Sequence, residues 1–66
     1  MNILINHKPF ELQGDSTLEE ALTQAQIPLE GVAVAVNNRV VPRRDWGNTP
    51  LEEGSKITVI RAVCGG

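Results

Sequence analysis

Few residues in this chain could do chemistry, and the most suggestive stand at its end, Val63-Cys64-Gly65-Gly66. A strand-like apolar run stops there, and two glycines with a carboxylate follow. At an average glycine usage of about 7%, two given positions are both glycine by chance about 0.5% of the time. The pair therefore carries weight, although chain ends are also commonly frayed and tolerant of small residues. His7, the single histidine, has no cysteine, serine or carboxylate at a recognisable catalytic spacing, so it reads as a solvated turn residue. Glu19 and Glu20 stand where a helix should begin; capping and the helix dipole explain them better than paired-carboxylate catalysis. Arg43 and Arg44 are expected in solvent, with acidic groups on a partner protein as their functional alternative.

Composition narrows the classes further. Sixty-six residues, 41% of them hydrophobic, make one small domain spanning 1–66. Domains of this size bury only about 60% of their unfolded surface and often need a disulfide or a metal. Neither is offered by one cysteine and one histidine, so the fold must rest on packed aliphatic side chains. A formal net charge of -2, with both signs spread along the chain, leaves no basic footprint for nucleic acid. Phe10 and Trp46 are too few aromatics for a base-stacking platform. The apolar run of Met1–Asn6 is too short for a signal peptide or a membrane span, so a cytoplasmic protein is expected.

The elements that would position the end are legible from pattern. Met1, Ile3 and Ile5 alternate with Asn2, Leu4 and Asn6, which predicts a strand with its odd positions inward. His7-Lys8 is read as a turn before Pro9, with a second strand over Phe10–Gln13 that ends at Gly14-Asp15. Ser16 or Thr17 caps a helix, Glu19 or Glu20 completes a capping box, and Leu18, Ala21, Leu22 and Ala25 form the apolar stripe. Pro28 is expected to stop that helix near Gln26. Val32–Val36, an Asn37-Asn38 turn and Arg39–Val41 predict a second hairpin. Arg43–Gly47 reads as irregular, with Trp46 folded as a lid on the core edge. The final strand is predicted over Lys56–Val63, and its apolar content suggests a central position, buried on both faces or on one face plus a partner site.

A hairpin, one helix, further strands and a last strand ending in Gly-Gly resemble the ubiquitin-like β-grasp fold, an α+β architecture with a mixed sheet of about five strands, one packed helix and a flexible tail at 63–66. Within it the chain is similar to the sulfur-carrier family of thiamine thiazole biosynthesis. The matching stretches are Met1–Asn6, the helix with Leu18 and Leu22, Val36-Asn37, Val41-Pro42-Arg43 with Trp46, then Leu51, Gly54, Ile57 and Gly65-Gly66. Two positions depart from the family pattern. Ser55 stands where an acidic residue commonly follows the turn glycine, and Cys64 directly precedes the two glycines. A thiol there could attack an activated carboxyl terminus, but thiols react as thiolates and the tail itself carries no cation to favour one.

The resemblance implies a carrier rather than a catalyst. An adenylyltransferase like the ubiquitin-activating enzymes would use ATP and magnesium to convert the Gly66 carboxylate into an acyl-adenylate, so this chain would bind no cofactor itself. Sulfur from a persulfide made by a cysteine desulfurase would then give a thiocarboxylate, which thiazole synthase consumes. The two glycines, Gly65 and Gly66, would slim the tail for a narrow channel, with Gly65 and Cys64 as the tail-access positions before the modified residue. By alternation Ile57 and Val59 face the helix, which leaves Thr58 and Ile60 on the opposite face with Leu4 and an alanine of the third strand. Leu4 and Ile60 are expected to form an apolar docking patch, with Thr58 and Arg43 as further partner contacts. Alternatives are a sulfur carrier for molybdopterin synthesis, a protein-conjugating modifier, or a binding module with an accidental Gly-Gly end. An iron-sulfur β-grasp protein is excluded, since one cysteine cannot supply four ligands.

Overall fold

Strand alternation, two asparagine-built turns and one capped helix assemble a single mixed sheet. In a computed structural model, which describes residues 1–61, the elements are β1 (Asn2–Ile5), β2 (Lys8–Glu11), α1 (Leu18–Gln24), β3 (Val32–Val36), β4 (Arg39–Val41), a 3-10 helix over Arg43–Asn48, and β5 (Lys56–Arg61). The strand order is β2-β1-β5-β3-β4. β1 and β5 run parallel, and every other pair is antiparallel. The predicted extension of the last strand to Val63 and the tail at 63–66 lie outside the described residues.

The first turn falls one residue earlier than the sequence suggests. Asn6 and His7 both take positive φ, 49° and 71°, the backbone of a two-residue hairpin whose twist matches its strands. β2 therefore begins at Lys8, opposite Ile5, and contains Pro9. Proline is tolerated there because β2 is an edge strand, and its position opposite Leu4 asks for no ladder donor. Asn37 and Asn38 build the second turn in the same way, with φ of 51° and 72°.

Thr17, not Ser16, caps α1. Its Oγ1 accepts from the Glu20 N–H, and the Glu20 carboxylate accepts the Thr17 N–H at 3.0 Å, which completes the capping box. The helix ends two residues before Gln26, and Pro28 is not the cause. Gln26 adopts φ 59°, its N–H donates to Thr23 O at 3.1 Å, and the Ile27 N–H donates to Leu22 O at 3.0 Å. These two bonds are a Schellman motif, which satisfies the last carbonyls of the helix.

Leu18, Ala21 and Leu22 of α1 pack on Ile3, Ile5, Val34 and Ile57 of the sheet, and Leu12, Trp46 and Leu51 close the core's margins. Trp46 is more than a lid. It is 2% exposed, and its Nε1–H donates to Val41 O at 2.8 Å, so the 3-10 turn that carries it belongs to the core wall. The Leu18 N–H to Thr49 O bond and the Leu51 N–H to Ser16 O bond stitch the start of α1 to the segment that leads into β5. Among the described residues no buried side-chain nitrogen or oxygen lacks a partner.

A side chain other than glycine at the left-handed Gln26 position carries a local cost. Gln26→Gly is expected to stabilise the protein by about 0.5–1 kcal/mol, which thermal unfolding would read as a rise of several degrees in Tm.

Candidate functional site

The helix and the 3-10 turn cover one face of the sheet, so the opposite face is where a partner can meet the strand that leads to the tail. Burial along β5 separates the faces. Ile57 is buried and Val59 half-buried, whereas Thr58 is exposed and Ile60 is 59% exposed. Of the two arrangements expected for β5, burial on both faces is ruled out, and burial on one face with the other left open is what the structure shows. The strand is central because it has a strand at each edge, not a layer on each face.

Register assigns its outer neighbours. Ile60 lies opposite Ala33, Thr58 opposite Ala35, and Ala35 in turn opposite Val40, which is 76% exposed. Small alanines between Ile60, Thr58 and Val40 make a shallow apolar surface over β5, β3 and β4. Leu4 shares this face but is paired with Lys56, four residues before Ile60 and about 13 Å away along the strand. The sheet thus does not bring Leu4 and Ile60 side by side; Ala33 is the third-strand alanine expected beside Ile60, and Val40, in the row of Ala35 and Thr58, is the residue that pattern reading missed. The Val-Ala alternation of 32–36 signalled the alanines, but the register that joins them to β5 and β4 is a tertiary fact.

Leu4 instead borders a hollow between the two hairpin turns, lined also by Asn6, His7, Asn38, Lys56 and Thr58. Arg43 is exposed at the start of the 3-10 turn, just after β4. Ser55, the departure after the turn glycine Gly54, is 4% exposed and functions locally. Its hydroxyl donates to Glu52 O at 2.7 Å and accepts the Glu52 N–H at 2.9 Å, closing the turn from which β5 starts. Gly54 meets that turn with φ 84°, a conformation that favours glycine. The predicted reactive and access residues Gly66, Gly65 and Cys64 lie outside the described residues. No group of three or more metal-ligating side chains occurs among the described residues, nor is any helix there long and apolar enough to cross a membrane.

A five-stranded sheet in this order, with parallel central strands and one helix packed on a single face, defines a ubiquitin-like β-grasp protein. The ThiS family model matches residues 3–66, so the match runs through Gly65 and Gly66. The sulfur carrier protein ThiS of Escherichia coli is 30% identical over 66 residues, with both chains covered completely. The crystal structure of the thiamine biosynthesis protein ThiS from Geobacter metallireducens superposes with a TM-score of 0.84 at 25% identity, again over the whole of both chains. A thiazole synthase of Magnetococcus marinus is 35% identical over 66 residues, where all of this chain aligns with 20% of that protein. The chain belongs to the ThiS family, the small ubiquitin-like sulfur carriers of thiamine biosynthesis.

The two faces of β5 should respond differently to substitution. Ile57→Ala, in the core, is expected to cost about 2–5 kcal/mol. Ile60→Asp, on the open face, should cost about 1 kcal/mol or less. Urea unfolding of the two variants checks the assignment.

Proposed function

We propose that this protein carries sulfur as a thiocarboxylate on Gly66 and delivers it to a thiazole synthase. The observation that carries the reading is the family match through the terminal Gly65-Gly66 pair, the atoms on which such chemistry must act. A carboxylate is a poor electrophile until it has a good leaving group. An adenylyltransferase supplies one by joining Gly66 to AMP from ATP, with magnesium and nucleotide held by that enzyme and not by this chain. Persulfide sulfur, drawn from a cysteine desulfurase, then displaces AMP, because sulfur is more nucleophilic and more ionised than oxygen near neutral pH. Cleavage of the sulfur-sulfur bond by a thiol leaves the thiocarboxylate. As sulfur passes to the acceptor the acyl carbon takes an oxygen in exchange, from the acceptor or from water, so the carrier returns with an ordinary carboxylate and is a recycled co-substrate, working in the cytoplasm.

The relative from Magnetococcus marinus supports thiazole synthase as the acceptor, since a stretch like this whole chain occurs inside a protein of that name. In this reading Gly65 and Gly66, which carry no Cβ, let the tail enter the partners' active sites, with Cys64 as the small residue that precedes them. The outer face of β5 is the docking surface in this reading. Ile60 and Thr58 form its centre with Ala33 and Val40, Leu4 lies at its far margin, and Arg43 offers a cation to an acidic group of the partner.

Intact-mass measurement on protein purified from its native host should show a gain equal to the exchange of one oxygen for sulfur, mapped to Gly66. A permanently unmodified terminus, or conjugates of higher mass, would overturn the reading. Gly66→Leu should abolish adenylation with Tm unchanged, whereas Ile60→Asp should weaken binding to the adenylyltransferase about tenfold or more. Unaltered affinity in a folded Ile60→Asp protein removes the outer face from the docking surface.

A further inference from the structure

β5 is held at each edge by an asparagine side chain that does what a longer strand would otherwise do. At its start Asn37 Oδ1 accepts the Lys56 N–H at 2.9 Å, while the Asn37 N–H donates to Lys56 O at 2.8 Å. On the opposite edge β1 ends at Ile5, and the Asn6 N–H makes its last backbone bond, to Ile57 O at 2.9 Å. The main chain then turns away at φ 49°. The carboxamide of Asn6 stays behind: Oδ1 accepts the Val59 N–H at 2.9 Å, and Nδ2 donates to Val59 O at 3.4 Å. Both backbone groups of Val59 are thereby held by one side chain, beyond the point where β1 can reach.

The turn alone does not require this. Glycine takes positive φ as readily as asparagine, and Asn38 occupies the same region of backbone space, at φ 72°, with no side-chain hydrogen bond to the described residues. We infer that Asn6 is a positioning residue for sulfur loading, in which its carboxamide clamps the β1-side edge of Val59, while β3 pairs along the other edge as far as Arg61, and so steadies the direction with which β5 delivers the carboxyl-terminal residues to the activating enzyme. The inference rests on the carrier reading above. Val59 lies two positions before the last described residue, Arg61, so the clamp sits at the base of the segment the enzyme must engage. Without it, the end of β5 starts from a wider ensemble that binding must order. Once bound, the terminal carboxylate meets the same catalytic groups. The loss therefore falls on KM and not on kcat.

The test compares Asn6→Gly, which keeps the turn and removes the clamp, with Asn38→Gly, which alters the second residue of the other hairpin turn, a left-handed asparagine whose side chain makes no hydrogen bond to the described residues of β5. ATP–pyrophosphate exchange by the adenylyltransferase is followed against carrier concentration, and exchange of the Val59 amide is followed by NMR, on proteins shown to be folded by circular dichroism. Asn6→Gly should accelerate exchange of the Val59 amide and raise the apparent KM about fivefold to tenfold with kcat unchanged. Asn38→Gly should change neither. Asn6→Asp keeps the acceptor and loses the donor, so its KM should fall between those of wild type and Asn6→Gly, and it stands in should the glycine variant not fold. Unchanged Val59 protection, or lost protection with an unmoved KM, overturns the inference. A wild-type chain that supports no exchange at all refutes the carrier reading instead, and the Val59 amide then decides whether the clamp exists.

Discussion

β5 joins the two ends of the sequence, because it must lie parallel to β1 and antiparallel to β3 before either hairpin has a sheet to belong to. Ile5, Ile57 and Val36 then fall in one row across the sheet, and Val59 lies beside Val34 and Val41 in the next. These contacts span most of the chain, so their loop-closure cost must be met by apolar burial under the helix. Leu18, Ala21 and Leu22 supply that burial with no exposed surface of their own. If Ile57 lost its place, the hairpins would have no common core.

The segment between β4 and β5 is what lets one short helix suffice. A seven-residue helix cannot cover five strands, and the 3-10 turn brings Trp46 in beside it. The indole is anchored at Val41 O, while Thr49 O and Ser16 O receive bonds that tie this segment to the start of α1. Ser55 then closes the turn that aims the chain into β5. The result is a core of packed apolar side chains in which, among the described residues, each buried side-chain nitrogen or oxygen finds a partner.

Covering one face leaves the other to partners. The open face is assembled from Ile60, Thr58, Val40 and two alanines, a shallow apolar surface. That division suits a carrier. The scaffold holds β5 between β1 and β3 and shows one side of it, and in the proposed function the enzymes that dock supply the chemistry on Gly66. The asparagines of the two turns refine this division by gripping β5 where the neighbouring strands have already turned away.

The sequence by itself determined the local elements, because they depend on near neighbours. Alternating Ile3 and Ile5, the Thr17–Glu20 capping box, the stripe of Leu18, Ala21 and Leu22, and Asn37-Asn38 each carry their conformation within a few residues, and the resemblance built on them led to the β-grasp fold. Boundaries were less legible. Asn6-His7 and not His7-Lys8 is the turn, and Gln26 in a left-handed conformation, rather than Pro28, ends the helix, because both depend on backbone geometry that several residue types can adopt. Only the tertiary structure decided what lies beside what. It buried Trp46, set Leu4 next to Lys56 instead of Ile60, and placed the Asn6 carboxamide on Val59. Each of these turns on the register between strands more than fifty residues apart or on the side of the sheet the helix covers, and no local pattern encodes either.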